Sequence, residues 1–296
     1  MPTLLDFRRR IRSGKNSQQI TRAMKFVAAA RLRRAQEAAL AARPYAQELA
    51  RVLRSTMERI QEPQHPLLER REEKNVLAIV LTGERGLAGA FNTNILKKAN
   101  EFFRANREKK VVTIAVGKKG RDALKKAGFT FAGEWVNVLA RVEFKTAREI
   151  AKLATDLYAE KKVDSVYIIF SEFKSVMTAN LKVEKLLPVE AIREGKGSNG
   201  EKESGKNAEV QVDYIYEQPE AQLLDKLLPR YVETQILRAM LESSASEYAA
   251  RMTAMESATK NAGDVIEALT LYMNNVRQAA ITKEIIEIVS GASYGS

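Results

Sequence analysis

The sequence contains no cysteine, a single histidine and no long run of apolar residues. Without cysteine, disulfide bonds, thiolate metal sites and thiol redox switches are excluded. With one histidine, His65, neither a histidine-based catalytic triad nor a cluster of histidine metal ligands can form. His65 lies in the turn-rich segment QEPQHPLLERREEK, where we expect it to be a surface residue.

No segment approaches the roughly 20 apolar residues that span a bilayer as a helix, since VLAIVL is the longest clear run. The start, MPTLLDFRRRIRSGK, differs from a secretion signal because charged residues stand where the apolar core of a signal would be. We therefore expect a soluble protein that stays in the compartment where it is made. Its apolar content is sufficient for a packed core.

Positive charge is concentrated at one end of the chain, whose formal net charge is +12. Residues 1–60 contain 14 Lys and Arg against 4 Asp and Glu, a net charge of +10. Residues 219–296 contain 7 against 10, a net charge of −3. The basic block predicts an acidic partner, which could be nucleic acid, an anionic lipid surface or an acidic protein surface.

Both ends of the chain carry a 3.5-residue apolar repeat, the pattern of long helices that pair along one seam. The C-terminal seam has one polar member, Thr259, and the N-terminal seam is half alanine, which allows two backbones to approach closely. Pro44 lies within the N-terminal repeat without changing its phase, so we expect one continuous helix with a kink there. The seam positions are Ala28, Leu32, Ala35, Ala39, Ala42, Ala46, Leu49, Leu53, Thr56 and Ile60, and Leu241, Ala245, Tyr248, Met252, Met255, Thr259, Ala262, Ile266, Leu269, Met273, Val276 and Ala280.

Between the ends, β-branched runs alternate with helical stretches, which indicates a Rossmann-like α/β domain with a mostly parallel sheet and an antiparallel pair near its end. We predict three domains: a coiled-coil helix over 1–60, an α/β foot over 75–217 and a second coiled-coil helix over 219–290. The polar, glycine-rich residues 193–209 predict a flexible surface loop. The predicted strands are NVLAIVL, VVTIAVG, FTFAGEWV, DSVYIIF, ANLKVEKLLPV and VQVDYIYE, and the predicted helices of the foot are NTNILKKANEFFRAN, KKGRDALKKAG and TAREIAKLATDLYAEKK.

These elements predict a globular foot that carries a long, two-helix rod. The helices must run antiparallel if they pair, because one enters the foot and the other leaves it. Helices of about 57 residues extend for about 85 Å. Past Ala280 the helix ITKEIIEIVSGA is apolar on several faces, and such a helix end is normally buried against something else. The alternative is that the tail folds back onto its own rod.

The segment TGERGLAGAFN, residues 82–92, stands between a predicted strand and a predicted helix, where phosphate-binding loops occur. Neither Gly83 nor Gly86 starts a dinucleotide fingerprint, because Ala88 or Arg85 stands where a further glycine is required. A Walker loop fails as well, since no lysine follows at the required spacing. We therefore expect a tight turn with Asn92 or Thr93 capping the following helix. No carboxylate pair is isolated from neutralising charge either, so we find no active site.

Four segments together form a recognisable set: IRSGKNSQQITRAMKFVAAARLRRAQ, TGERGLAGAFN, ARMTAMESATKNA and RQAAITKEIIEIVSGA. This set resembles the gamma subunit of the F-type ATP synthase, the central rotor shaft, in its opening signature, its first strand-to-helix turn and its C-terminal signature. Ala88 departs from the family, which often has cysteine there. The 193–209 loop lacks the regulatory dithiol of plant plastid relatives.

The resemblance implies a subunit with no catalytic site and no cofactor of its own. Its coiled coil would lie inside a ring of alternating alpha and beta subunits, and its foot would stand on the membrane-embedded c ring beside epsilon. Proton flow would turn the c ring, and the asymmetric shaft would drive each beta site in turn through binding, synthesis and release. The resemblance also implies a peripheral protein on the cytoplasmic face of the bacterial plasma membrane. Acidic beta loops would surround the basic first helix, and an apolar sleeve of the ring would hold the tip.

The resemblance also implies functional positions, although motif position alone cannot distinguish each of them from a solvated side chain. Those implied to contact the alpha/beta ring are Met24 and Arg251 near its lower lip and Arg277, Gln278, Thr282 and Glu284 near the bearing, and those implied to contact the c ring are Tyr214 and Glu217.

Two other functions fit parts of the sequence. A basic coiled-coil arm could bind nucleic acid through Arg8, Arg9, Arg10, Arg12 and Lys15, and its binding would be sensitive to salt. Stacking aromatic residues are sparse there, however, and the acidic C-terminal helix would weaken the field. A nucleotide-dependent enzyme built on the foot is less well supported, because the loop motifs fail.

Overall fold

The computed structural model describes residues 3–59, 65–176, 178–189 and 220–294. Two very long helices at the ends of the chain enclose a region of alternating strands and helices. The elements are α1 (Leu4–Arg59), a short 3₁₀ helix (Pro66–Leu68), β1 (Asn75–Leu81), α2 (Phe91–Ala105), β2 (Lys110–Val116), α3 (Lys118–Lys126), β3 (Thr130–Trp135), α4 (Phe144–Ala159), β4 (Ser165–Phe173), β5 (Ala179–Leu187) and α5 (Glu220–Tyr294).

Helices α1 and α5 pack against each other in antiparallel orientation. The rings of Phe7 and Tyr272 lie 5.0 Å apart near the start of α1. Further along α1, the hydroxyl of Thr259 donates to that of Thr21 over 2.8 Å. Every seam position predicted from the sequence is buried or half-buried in the described part of the chain. The predicted antiparallel two-helix coiled coil is therefore confirmed.

Helix α1 continues through Pro44 as a single helix of 56 residues. The proposed boundaries of the three domains stay a prediction, because 60–64 and 190–219 lie outside the described residues. The predicted strand VQVDYIYE and the predicted loop 193–209 lie outside them as well.

The five described strands form one sheet with the order β3-β2-β1-β4-β5. The pairs β1–β2, β1–β4 and β2–β3 are parallel, whereas β4–β5 is antiparallel. All residues of β1 after Asn75 are buried, as expected for a central parallel strand that is covered by helices on both faces. The α/β fold class with a mostly parallel sheet is confirmed.

The two faces of the sheet pack against different helices. Ile79 of β1 points to the core formed with α4 and the first half of α5, which contributes Leu228 and Ile236. Val80, its neighbour, points to the core formed with α2 and α3. Helix α5 has 75 residues, a length of about 110 Å, so it is both a layer of the α/β region and one strand of the coiled coil.

Candidate functional site

The glycine-rich turn that follows β1 is held by its own side chains and by those of the neighbouring turns. The hydroxyl of Thr82 accepts a hydrogen bond from the Gly120 amide over 2.7 Å. The carboxylate of Glu84 accepts from the Lys118 amide over 3.1 Å, at the start of α3, and from the Val138 amide over 3.2 Å. A protein carboxylate therefore occupies the N-terminus of α3, and helix N-termini are positions that attract anions.

Asn92 organises this turn and does not cap the helix. Helix α2 begins after Ala90 without any side-chain capping bond, so the predicted cap by Asn92 or Thr93 is wrong. The side-chain oxygen Oδ1 of Asn92 accepts a hydrogen bond from the backbone amide of Gly83 over 2.8 Å. The side-chain nitrogen Nδ2 of Asn92 donates to the backbone carbonyl of Arg85 over 3.3 Å. Because Asn92 is already inside the helix, its side chain points back across the turn and fixes its width.

Helix α5 packs directly on this turn. A methyl group on Gly83 would lie 2.9 Å from the carboxylate carbon and Oε1 of Glu247, so only glycine fits without a shift. The Arg251 guanidinium donates to the Gly86 carbonyl over 3.4 Å. Gly89 has a φ of +53°, and a Cβ there would lie 3.8 Å from that of Ala254. We call this contact, between α5 residues 244–254 and the turns described here, the junction.

The same stretch of α5 also holds the turn after β3 and the end of β4. Ser244 donates to the Leu139 carbonyl over 3.0 Å, and the Tyr248 hydroxyl donates to the Ala140 carbonyl over 3.3 Å. The hydroxyls of Ser246 and Ser171 share a buried hydrogen bond of 2.7 Å. The small residues of α5 allow this close approach, and the Ser244 hydroxyl gives the carbonyl of the buried Leu139 a partner.

Glu247 is the buried charge of the junction, with only 5% of its surface exposed. Burial raises the pKa of its carboxyl group, and the neighbouring Arg251 guanidinium partly offsets that rise. Arg251 Nη2 donates to Glu247 Oε1 over 2.5 Å, and its guanidinium also lies 5.7 Å from the centre of the Tyr248 ring. The pair is therefore a buried ion pair that connects one turn of α5 to the glycine-rich turn.

The implied ring-contact residues fall in three places. Met24 is half-buried on α1, next to Lys25, whose ammonium is 2.6 Å from Glu256 of α5. Arg251 lies in the junction, with 13% of its side chain exposed. The other four, Arg277, Gln278, Thr282 and Glu284, are all exposed on the last part of α5, and Tyr214 and Glu217 lie outside the described residues.

The last part of α5 extends beyond its partner helix. The Thr282 hydroxyl donates to the Gln278 carbonyl over 2.9 Å, within α5 itself. Every residue from 281 to 290 is exposed. The apolar side chains there are between 48% and 71% exposed, and no described residue folds back to cover them. They are Ile281, Ile285, Ile286, Ile288 and Val289.

Sequence reasoning missed the junction, apart from Arg251. Glu247 and Ser244 stand next to the seam positions Tyr248 and Ala245, in the run SSASE. Three serines with one glutamate inside an apolar repeat were the available signal, because small residues mark places where a helix approaches another backbone closely. His65 was also misjudged, since only 10% of its side chain is exposed.

Among the described residues, no group of histidine and acidic side chains is arranged to hold a metal ion. Within the same residues, no helix is both long enough and apolar enough to cross a membrane.

A protein-family model described as ATP synthase matches residues 3–293. A protein of Solibacter usitatus called ATP synthase gamma chain is 47% identical over 99% of this chain and 99% of its own length. A protein of Chloroherpeton thalassium with the same description is 44% identical over 99% and 98%. The chain belongs to the ATP synthase gamma-chain family. The resemblance noted in the sequence is therefore confirmed.

Solved structures share the fold of this family member. A chain of the Euglena gracilis mitochondrial ATP synthase, in a structure of OSCP, F1 and the c ring, matches with a TM-score of 0.67 and 20% identity over 98% of this chain and 93% of its own. A chain of the central stalk and c ring of the Tetrahymena thermophila mitochondrial ATP synthase matches with a TM-score of 0.60 and 24% identity over 81% and 99%. At these identities the likeness supports the fold: long terminal helices around a mixed sheet.

Proposed function

We propose that this protein is the central rotor shaft of an F-type ATP synthase and has no catalytic site of its own. The observation that carries the proposal is the end-to-end match to gamma chains, in a chain whose longest helix ends as an exposed apolar rod. In this function the α1–α5 coiled coil turns inside a ring of alpha and beta subunits, and the α/β region stands on the c ring beside epsilon. The three-domain division given above belongs to the same proposal.

The proposed partners fit the surface of the described residues. The exposed isoleucines and valine at residues 281–290 fit an apolar sleeve of the ring, because an apolar patch of this kind is rarely left in water. The basic α1 calls for acidic loops of the beta subunits around it. Arg277, Gln278, Thr282 and Glu284 are exposed where the coiled coil ends and α5 continues alone, which supports the proposal that they grip the beta subunits.

The proposed contacts near the lower lip of the ring, Met24 and Arg251, are partly occupied by interactions within this chain. Arg251 is held by Glu247 and the Gly86 carbonyl, so its contact with the ring is made by the remaining edge of the guanidinium. Met24 contributes a half-buried side chain on α1. Tyr214 and Glu217 are proposed c-ring contacts from motif position alone. The protein is a peripheral component, held through the complex at the cytoplasmic face of a bacterial plasma membrane.

Mechanical coupling follows from the asymmetry of the shaft. A helix pair with different side chains on each side presents a different surface to each beta subunit at a given angle. Rotation therefore biases each catalytic site toward a different conformation, by differential contact and without chemistry in the shaft.

The direct test is assembly. Mixed with alpha and beta subunits, the chain should form a complex that hydrolyses ATP, whereas the chain alone should not hydrolyse it. Tight binding to duplex DNA at physiological salt, without such a complex, would favour the nucleic-acid alternative. The family match leaves that alternative without support.

A further inference from the structure

The junction occupies the place where doubly wound sheets bind their ligands. In such folds the ligand lies at the carboxyl ends of the strands, where the strand order reverses. Here the order reverses at β1, which has β2 on one side and β4 on the other. The turn after β1 contacts Glu247 through Gly83, and the end of β4 contacts Ser246 through Ser171. Helix α5 of the same chain thus fills the crevice.

The contacts in this crevice are specific in geometry. A residue larger than Gly83 would require the Glu247 carboxylate to shift, since an added Cβ would lie 2.9 Å from it. Arg251, one helical turn away, binds both this carboxylate and the Gly86 carbonyl. A buried ion pair of this kind is a weak source of net stability but tolerates only one arrangement, because an unpaired buried charge is costly.

We propose that Glu247 is a positioning residue that fixes the rotational position of the α/β region on the shaft. The inference rests on the proposed function, because it assigns to the junction the transfer of torque from the α/β region to α5. Core side chains of α5 from Leu224 to Met240 already fix its first half against the sheet. The Glu247–Arg251 pair, closed over the glycine-rich turn, fixes the next two turns of α5 at the carboxyl ends of the strands.

The experiment uses the complete complex, reconstituted in membrane vesicles, and measures protons pumped per ATP hydrolysed. For Glu247→Ala we expect this ratio to fall while ATP hydrolysis continues, because the Arg251 guanidinium is left buried without its carboxylate and the glycine-rich turn loses that contact with α5. Glu247→Gln keeps the shape and one acceptor for Arg251, so its loss should be smaller. Glu256→Gln is the matched control: it removes an ion pair on the same helix that is exposed and does not touch the turn.

A covalent staple separates positioning from any direct contact that Glu247 makes with a partner. The chain has no cysteine, and the Cβ–Cβ distance of 3.8 Å between positions 89 and 254 suits a disulfide. Because the φ of +53° at Gly89 strains any side chain there, the double-cysteine chain with Glu247 intact is the baseline for this comparison. Adding Gly89→Cys and Ala254→Cys to Glu247→Ala should restore the pumping ratio under oxidising conditions, and a reducing agent should abolish that rescue. The two single-cysteine variants should show no rescue.

The outcomes distinguish this inference from the proposed function. If the wild-type chain does not assemble with the alpha and beta subunits, the proposed function fails. If it assembles and Glu247→Ala retains the wild-type ratio, or if a disulfide confirmed by gel mobility does not restore the ratio, the positioning role of Glu247 is wrong.

Discussion

At the scale of single residues, buried polar groups determine how the stability of this protein depends on pH. His65, Glu242 and Glu247 are titratable, and burial shifts the pKa of each of them. The groups that surround them differ. Glu247 is paired with the Arg251 guanidinium, His65 has a backbone donor and a neighbouring carboxylate, and Glu242 has an oxygen without a partner among the described residues. Their energetic effects therefore differ in sign and in pH dependence.

His65 should make stability depend on pH. Its Nδ1 accepts from the Leu67 amide over 3.0 Å, and its Nε2 lies 3.5 Å from the Asp225 carboxylate. Burial lowers the pKa of His65 below its ordinary 6.5, and Asp225 partly offsets this. The unfolded chain then binds the proton more readily, so this contribution is present above pH 6.5 and is lost as the pH falls below it.

The variant His65→Asn tests this effect, because its amide oxygen can accept from Leu67 without titrating. Urea unfolding between pH 7.5 and 5.5 should show a smaller loss of stability for the variant than for the wild type. Equal slopes against pH would contradict the assignment.

Glu242 should destabilise the protein when it is ionised. Burial raises the pKa of its carboxyl group, and Glu172 and Glu184 add to the rise against the effect of Arg238. Lys182 and Arg238 are already paired with those two carboxylates, at 2.6 and 2.5 Å. We expect Glu242→Gln to raise the free energy of unfolding at pH 7 by about 1 kcal/mol, since it removes an unsatisfied buried charge.

The pH dependence provides the control for Glu242→Gln. In the native state the carboxyl group retains its proton to a higher pH, so its cost appears as the pH rises above its ordinary 4.5. The gain should therefore vanish in unfolding experiments at pH 4. A gain of the same size at both pH values would exclude charge as its cause.

At the scale of elements, the seam determines which side chains of a helix carry stability. Leu53 and Leu40 both lie on α1, but Leu53 is fully buried in the seam whereas 56% of Leu40 is exposed. The repeat predicted this difference, because Leu53 is a seam position and Leu40 is not. Helix identity and propensity are the same at both sites, so only packing separates them.

Replacing each of these leucines by alanine tests the seam. Leu53→Ala should lower the free energy of unfolding by about 2–5 kcal/mol through a cavity between the helices and the sheet. Leu40→Ala should change it by less than about 0.5 kcal/mol. Thermal unfolding followed by circular dichroism measures both, and similar losses for the two variants would contradict the seam.

At the scale of the whole molecule, the single helix α5 begins inside the packed α/β region and ends as an exposed apolar rod. The first half of α5 is packed against the sheet, its middle against α1, and its last turns against nothing among the described residues. A rod whose end is apolar and exposed is complete only within a larger assembly. The fold of the isolated chain and the activity of the complex should therefore respond differently to changes at the tip.

Removal of residues 282–296 tests this separation. We expect the unfolding temperature of the isolated chain to stay unchanged, because residues 282–290 are all exposed and bury little surface. Assembly with the alpha/beta ring, or coupled ATP synthesis, should fall. Unchanged coupled synthesis would contradict the gripping roles proposed for Thr282 and Glu284.

The sequence by itself determined most elements of the described chain and the antiparallel pairing of its two long helices. The 3.5-residue repeats predicted the antiparallel helices, and the β-branched runs predicted the five strands of the described sheet, because both signals are periodic and local. Only the tertiary structure placed Glu247 against Gly83, Asn92 across the turn and His65 out of water. Those contacts join residues far apart in the chain, and no local pattern encodes which buried carboxylate meets which turn.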